Sequence, residues 1–439
     1  MTGAYSLCLL AAAGGLWGAA LDDWKSGAPR DEIKPRFSRT AAGHLVIEHD
    51  ARDGLQGFWS REFPVTGGSY YEIKAHRKTA HVASPQRSAF VIIEWRDEKD
   101  RRVLDDRQLV TRFLRKFTPW TPPEYPPERP GADGWSEFSA VYQAPGGARK
   151  AVVQLHLIWA PKGRVEWREV SFREAAQPAP RKVRLAAVHL RPSGSKTPEG
   201  NRKLFAPMIE KAAAQRADLV VLGETLTYAG TGRSAAEAAE PVPGPSTEFF
   251  GELARKHNLY IVAGIFERDR HLVYNTSILM GPDGKLVGKY RKVTLPDGEW
   301  MQGVVPGSDY PVFETRFGKV GMMICYDGFF PEVARQLALR GAEIIAWPVW
   351  GCNPELARAR AAENHVYLVS STYEDTSSNW MLTAIWDHTG DTVARAERWG
   401  DVVVAEVDLN ALTRWPSLGD FKAKIPRHAP PPEAQRPKK

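Results

Sequence analysis

Cysteine is scarce in this sequence: Cys8, Cys325 and Cys352 are the only three in 439 residues. That count excludes a disulfide framework, so packed cores must hold the chain, and 43% hydrophobic with 10% aromatic residues are ample for them. A single Cys325 to Cys352 bridge stays open by count alone. Long apolar runs are lacking too. The stretch from Leu7 to Ala20 is too short to span a bilayer, and no integral membrane segment is expected. The 11 histidines show no metal-ligand spacing with cysteines or carboxylates, so neither a metal nor another cofactor is implied. Nor is the charge of one sign: 59 basic residues against 52 acidic ones describe a mixed surface, which argues against a nucleic-acid partner.

What is present begins with an uncharged start. Residues 1–20 carry no charged side chain and close on Gly18-Ala19-Ala20, the pattern of a signal peptide, which predicts export to the periplasm or the outside of the cell. The region lacks the usual Lys or Arg before its apolar run, so a mis-assigned start or a buried first helix is the competing reading.

Two domains are the expectation at this length. Over 21–176, short β-rich runs alternate with Gly, Pro and charged turns: His44 to Glu48, Tyr70 to Lys74, Phe90 to Trp95, Ser139 to Gln143, Ala151 to Ile158 and Arg164 to Phe172. They predict an all-β sandwich, with Pro119 to Pro130 as a long ordered loop. Residues 177–182 hold two prolines and no periodicity, and read as a linker. From 183 to 409 strands and helices alternate. Val183 to Leu190 reads as a strand, and Thr197-Pro198 as the cap and first turn of a helix reaching about Arg216. Further strands are expected at Leu219 to Leu222, Leu259 to Phe266, Val273 to Met280, Val320 to Cys325, Glu343 to Pro348 and Val366 to Thr372. Helices fall at Ser246 to Asn258, Pro331 to Arg340 and Glu355 to Glu363, which is the signature of sheets covered by helices. Residues 410–439, rich in Pro, Lys and Arg, read as a solvated tail.

Three reactive side chains stand at or just past the ends of apolar strands: Glu224 after Leu219 to Leu222, Lys292 after Gly288-Lys289-Tyr290-Arg291, and Cys325 after Val320 to Ile324. A rigid sheet aims such residues while the following loop admits a ligand. A thiol attacks well only as thiolate, so Cys325 needs a base such as Glu224; a tetrahedral oxyanion needs a cation and an N–H, which Lys292 and the backbone of Tyr326 can supply.

The wording around these residues resembles the nitrilase, or carbon-nitrogen hydrolase, superfamily. Gly321-Met322-Met323-Ile324-Cys325-Tyr326-Asp327 with Phe330-Pro331-Glu332 is similar to its nucleophile segment, Lys289-Tyr290-Arg291-Lys292-Val293-Thr294-Leu295 to its lysine motif, and Leu222-Gly223-Glu224 to its glutamate motif. The resemblance implies an α/β fold of four αββα layers and hydrolysis of an amide or carbamoyl amide through a thioester. It also implies a homodimer or larger assembly. Amidase branches carry a second glutamate in surroundings like those of Glu299, and Trp350, Asn353 and Glu363 follow a strand that borders the family's pocket. Two departures stand out. Gly223 replaces the family's usual proline, and Gly328-Phe329 replaces a segment in which many relatives hold an arginine before Phe-Pro-Glu. The amino-terminal half resembles, more weakly, jelly-roll carbohydrate-binding modules, with Trp59, Trp95, Trp120, Trp135, Trp159 and Trp167 as candidate glycan-stacking faces or core anchors. Rival readings are a nitrilase, and a glycan-binding surface protein whose hydrolase half is secondary or inert.

Overall fold

The structure is a computed structural model and describes residues 23–109, 119–416 and 418–430. The signal-peptide reading of 1–20 and the end of the basic tail lie outside the described residues. The chain divides into two compact units. One holds residues 23–107, 119–177 and 427–430, the other 108–109, 178–416 and 418–426.

The first unit is built from two antiparallel sheets. One runs Lys25–Gly27, Gln56–Pro64, Lys150–Ile158, Val91–Arg96; the other runs Arg36–Arg39, Leu45–Glu48, Arg164–Ala175, Tyr70–Ala80, Trp135–Gln143, Glu128–Pro130. Period-two alternation decides what is buried. Ala151, Val153, Leu155 and Leu157 point inward and share a core with Ile73, Ala75, Val165 and Trp167 of the facing sheet. The strand Gln56–Pro64 escaped the sequence reading because Gly57, Arg61, Glu62 and Pro64 dilute its apolar pattern, yet it pairs with Lys150–Ile158 along its whole length. Of the six tryptophans, Trp59, Trp95 and Trp167 are core residues, and the Arg168 guanidinium covers Trp135 at 4.0 Å. Trp120 and Trp159 are 55% and 52% exposed, and the Arg87 guanidinium stands over the Trp159 ring, 5.8 Å from its centroid.

In the second unit two six-stranded sheets stack between helices. The first runs Leu286–Arg291, Leu272–Met280, Tyr260–Asp269, Leu219–Val221, Lys182–Val188, Val402–Asp408, and the second Val312–Glu314, Lys319–Met322, Ile344–Pro348, Tyr367–Ser371, Ala384–Trp386, Thr392–Arg395. Alternation along Lys182–Val188 sorts the layers. Val183, Leu185 and Ala187 pack toward the second sheet, while Ala186 and Val188 pack under Phe205, Ile209, Phe250 and Leu253 of the helices Pro198–Ala214 and Pro245–His257. Val333, Leu337, Ala357 and Ala361 of Pro331–Leu339 and Pro354–Asn364 cover the other sheet. Each large aliphatic side chain buried this way contributes roughly 1.5–3 kcal/mol. Thr197 caps its helix, Oγ1 accepting from the Gly200 N–H at 3.0 Å.

The expected solvated tail is corrected by the structure. Arg414–Trp415 pairs with Gly419–Asp420, and short helices follow at Lys422–Lys424 and Ile425–His428, with Ile425 buried. Trp415 Nε1 donates to His365 Nε2 at 2.7 Å, and the Arg427 guanidinium lies 3.6 Å from the Phe90 ring. Composition counted the charges and prolines; it did not weigh these few anchors. Among the described residues no helix is long and apolar enough to cross a membrane.

Candidate active site

The first sheet of the second unit delivers Glu224 just past Leu219–Val221, Asn275 from Leu272–Met280 and Lys292 just past Leu286–Arg291. The second sheet delivers Cys325, which opens the short 3-10 helix Cys325–Phe329 after Lys319–Met322. Lys292 is 1% exposed and Glu224 2%. An isolated buried ammonium would cost several kcal/mol, so Lys292 must be neutralised where it sits. It is: Nζ donates to Glu224 Oε1 at 3.0 Å and to Glu299 Oε1 at 2.5 Å. Asn275 Nδ2 spans the same two carboxylates, at 2.8 Å from Glu224 Oε1 and 3.2 Å from both Glu299 oxygens. The second Glu224 oxygen accepts from the Trp350 N–H at 2.7 Å.

Burial would push the Lys292 ammonium down, but Glu224, Cys325 and Glu299 outweigh it and hold the group above the ordinary lysine range. Burial pushes the Glu299 carboxyl up against the pull of Lys292. Burial and the charge of Glu224 push the Cys325 thiol up, with Lys292 opposing, so the resting sulfur is a thiol and needs a base. Its Sγ–H faces the Gly351 carbonyl at 3.5 Å. The Tyr326 N–H lies in the first turn of the 3-10 helix, where amides have no partner inside the helix.

Asp327, two residues on, ties the lysine segment to the cysteine segment. It is fully buried and accepts from the Tyr290 hydroxyl at 2.7 Å, the Thr294 N–H at 3.0 Å and hydroxyl at 2.6 Å, and the Ile324 N–H at 2.9 Å. Burial raises its carboxyl, and these donors oppose the shift. Backbone strain marks the same places. Cys325 has φ +39° and Thr225, following Glu224, has φ +41°, a region costly for residues with a Cβ and most of all for a β-branched one.

Thus Glu224, Lys292, Glu299 and Cys325 share one cluster. Trp350 joins it through its backbone, with its ring 5.2 Å from that of Tyr373. Asn353 does not contribute to the cluster: it caps Pro354–Asn364, its Oδ1 accepting from Glu355 N–H at 2.9 Å. Glu363 pairs with Arg360 at 2.8 Å. Cys325 and Cys352 are both free thiols. Asn275 was missed; a polar side chain inside the apolar strand run Val273 to Met280 was its one signal. Gly223 has a local explanation, since a Cβ there would lie 2.4 Å from the Tyr373 ring. Among the described residues no group of His, Cys, Asp and Glu is arranged to hold a metal.

Comparison with known proteins gives the same lineage from a different direction. The family profile described as Carbon-nitrogen hydrolase matches residues 184–417. A nitrilase of Pyrococcus abyssi is 39% identical over 196 residues, which cover 43% of this chain and 74% of that one. A citrullinase of Francisella tularensis is 36% identical, covering 36% of this chain and 64% of the relative. The omega-amidase NIT2 of Homo sapiens is 31% identical, covering 55% of this chain and 92% of the relative. With its second unit matched by the profile almost from end to end, the chain belongs to the carbon-nitrogen hydrolase family.

Proposed function

We propose that the chain hydrolyses the carbon-nitrogen bond of a linear amide or carbamoyl amide, with Cys325 as nucleophile, Glu224 as general base and acid, Lys292 as oxyanion cation and Glu299 as its second carboxylate. The observation that carries this reading is the buried Lys292 ammonium shared by Glu224 and Glu299, close enough to Cys325 for the charges of Glu224 and Lys292 to bear on its thiol. Glu224 takes the Sγ proton as sulfur attacks the carbonyl carbon. The oxyanion forms against Lys292 Nζ and the Tyr326 N–H. Collapse breaks the C–N bond, the amine leaves with the proton from Glu224, and a thioester remains. Water then gives its proton to Glu224 and attacks the thioester, releasing the acid and restoring the thiol.

Two names among the relatives, omega-amidase and citrullinase, fit this substrate class. Nitrile hydrolysis is the second reading, favoured by the likeness to a protein named nitrilase. An amide already carries the oxygen that Lys292 would hold, whereas a nitrile must first gain it. Values of kcat/KM on matched amide, carbamoyl and nitrile substrates decide between them: a consistent advantage for nitriles, with carboxylate as product, would overturn the amide assignment. A thioester on Cys325, seen by intact mass, tests the nucleophile. For the first unit the proposal is a jelly-roll module whose glycan contact rests on Trp120 and Trp159. Export and a homodimeric or larger assembly complete the proposal, tested by fractionation and by mass in solution.

A further inference from the structure

Among the described residues Glu224 accepts from three donors and has room for a fourth. Oε1 accepts from Lys292 Nζ at 3.0 Å and Asn275 Nδ2 at 2.8 Å, and Oε2 accepts from the Trp350 N–H at 2.7 Å. Each carboxylate oxygen can take two donors, so one lone pair of Oε2 is left over. From that position Glu224 can take a proton.

Tyr373 is fixed to the same frame. Its N–H donates to the Trp350 carbonyl at 3.3 Å, and its ring lies 5.2 Å from the Trp350 ring, almost perpendicular to it at 84°. The residue is 2% exposed, yet among the described residues its hydroxyl has no hydrogen-bond partner. A buried hydroxyl left that way costs about 1–3 kcal/mol, a cost that phenylalanine would avoid if packing were the whole role. Gly223 makes the position possible: a Cβ there would lie 2.4 Å from Tyr373 Cε1 and 2.7 Å from Oη. The hydroxyl therefore fills space that any other residue before Glu224 would take. It makes no direct hydrogen bond to the carboxylate, but the Glu224 charge adds to burial in raising the phenol well above the ordinary tyrosine range, with Arg191 opposing. A donor and an acceptor buried together without a direct bond are the setting for a bridging water.

We infer that the Tyr373 hydroxyl and the free lone pair of Glu224 Oε2 together hold the water that releases the acyl group from Cys325. This rests on the thioester mechanism proposed above and adds a residue to its second half. The phenol stays protonated and donates to the water oxygen. Glu224, a carboxylate once its proton has left with the amine, accepts one water hydrogen. The water's other lone pair attacks the thioester carbon, the C–S bond breaks, and the sulfur takes back the proton that Glu224 collected. Acylation needs no such water, so Tyr373 acts in one half-reaction only.

The test is Tyr373→Phe in the full chain, with p-nitrophenyl acetate as the probe. Nitrophenolate release times acylation, and intact mass times the loss of the acetyl thioester. Tyr373→Phe should leave the nitrophenolate burst within about twofold of the wild type and slow thioester decay in water at least about tenfold. Hydroxylamine attacks the thioester without needing the water site, so it should clear both enzymes at rates within about twofold. Gly223→Ala, which crowds the same ring, should slow the same decay. Unchanged decay in Tyr373→Phe would overturn the inference, as would a burst and a hydroxylamine reaction slowed as much as decay in water. A wild type that forms no thioester from the ester or from amides takes down the proposed mechanism as well, and that failure is read on the unaltered chain.

Discussion

Each unit buries a cation between two carboxylates, and the two sites do different things. In the sandwich, Arg107 donates to Asp105 at 2.7 Å and 2.9 Å, to Glu124, and to the Gln143 carbonyl at 3.0 Å. In the hydrolase unit, Lys292 lies between Glu224 and Glu299. Burial opposes both cations, and in both the carboxylates win. The difference lies in the geometry of the cation and in its neighbours. The guanidinium fork spreads its donors over fixed partners and closes a structural knot. An ammonium is a point charge on a flexible stem, and here it sits beside a thiol. A buried charge triad is therefore no sign of chemistry by itself; a reactive group facing the triad is.

The sharpest way to break that contrast is Cys325→Ala, which should lower kcat by at least about a thousandfold while leaving thermal stability intact. Retention of a tenth of the activity would end the nucleophile assignment. Next in size is the paired experiment of Lys292→Met and Arg107→Met. Each removes the cation that two carboxylates share, and each should cost about 3–5 kcal/mol of stability by denaturant unfolding. Only Lys292→Met should abolish hydrolysis in the fraction that stays folded; a comparable loss of kcat from Arg107→Met would make the two triads equivalent and the distinction false.

A smaller effect is expected at Gly223. Gly223→Ala brings a Cβ to 2.4 Å from the buried Tyr373 ring, and the overpacking should cost about 1–3 kcal/mol. The same change combined with Tyr373→Ala should recover part of the loss, and additivity in that double-mutant cycle would remove the steric explanation. The smallest effect is a pH dependence. The folded Cys325 thiol is raised above its unfolded value, so its contribution is fully present below the unfolded cysteine range, about 8.5, and is lost as pH rises beyond it. The stability of the wild type relative to Cys325→Ala should thus be flat at neutral pH and decline in alkali. A difference that grows with pH would contradict the raised thiol.

Much of this was legible in the sequence where pattern and position are local. Apolar runs alternating with helical segments marked the central strands of the second unit to within a few residues, Thr197-Pro198 marked the start of one helix, and strand ends singled out Glu224, Lys292 and Cys325. Long-range partners were not legible. Asn275 is an ordinary strand asparagine until the fold lays it across two carboxylates. Glu124 sits in a proline-rich stretch that gives no hint of its contact with Arg107. Tyr373 explains Gly223 only once two strands distant in sequence lie together. The cap made by Asn353, a polar residue before a proline, was equally open to a sequence reading, since such a residue is often a helix cap.

The left-handed backbone at Cys325 has a consequence for how this site survives mutation. A residue with a Cβ held there carries about 1–3 kcal/mol of strain that glycine would not. Cys325→Gly should therefore relieve the turn even as it removes the proposed nucleophile, leaving a chain that folds at least as well as the parent and, on the proposed mechanism, is inert. Selection for a stable fold alone would not retain the cysteine; only continued demand for turnover can. Within such a lineage, silent descendants with a sound scaffold and an empty nucleophile position are one codon change away, and their persistence would owe nothing to catalysis.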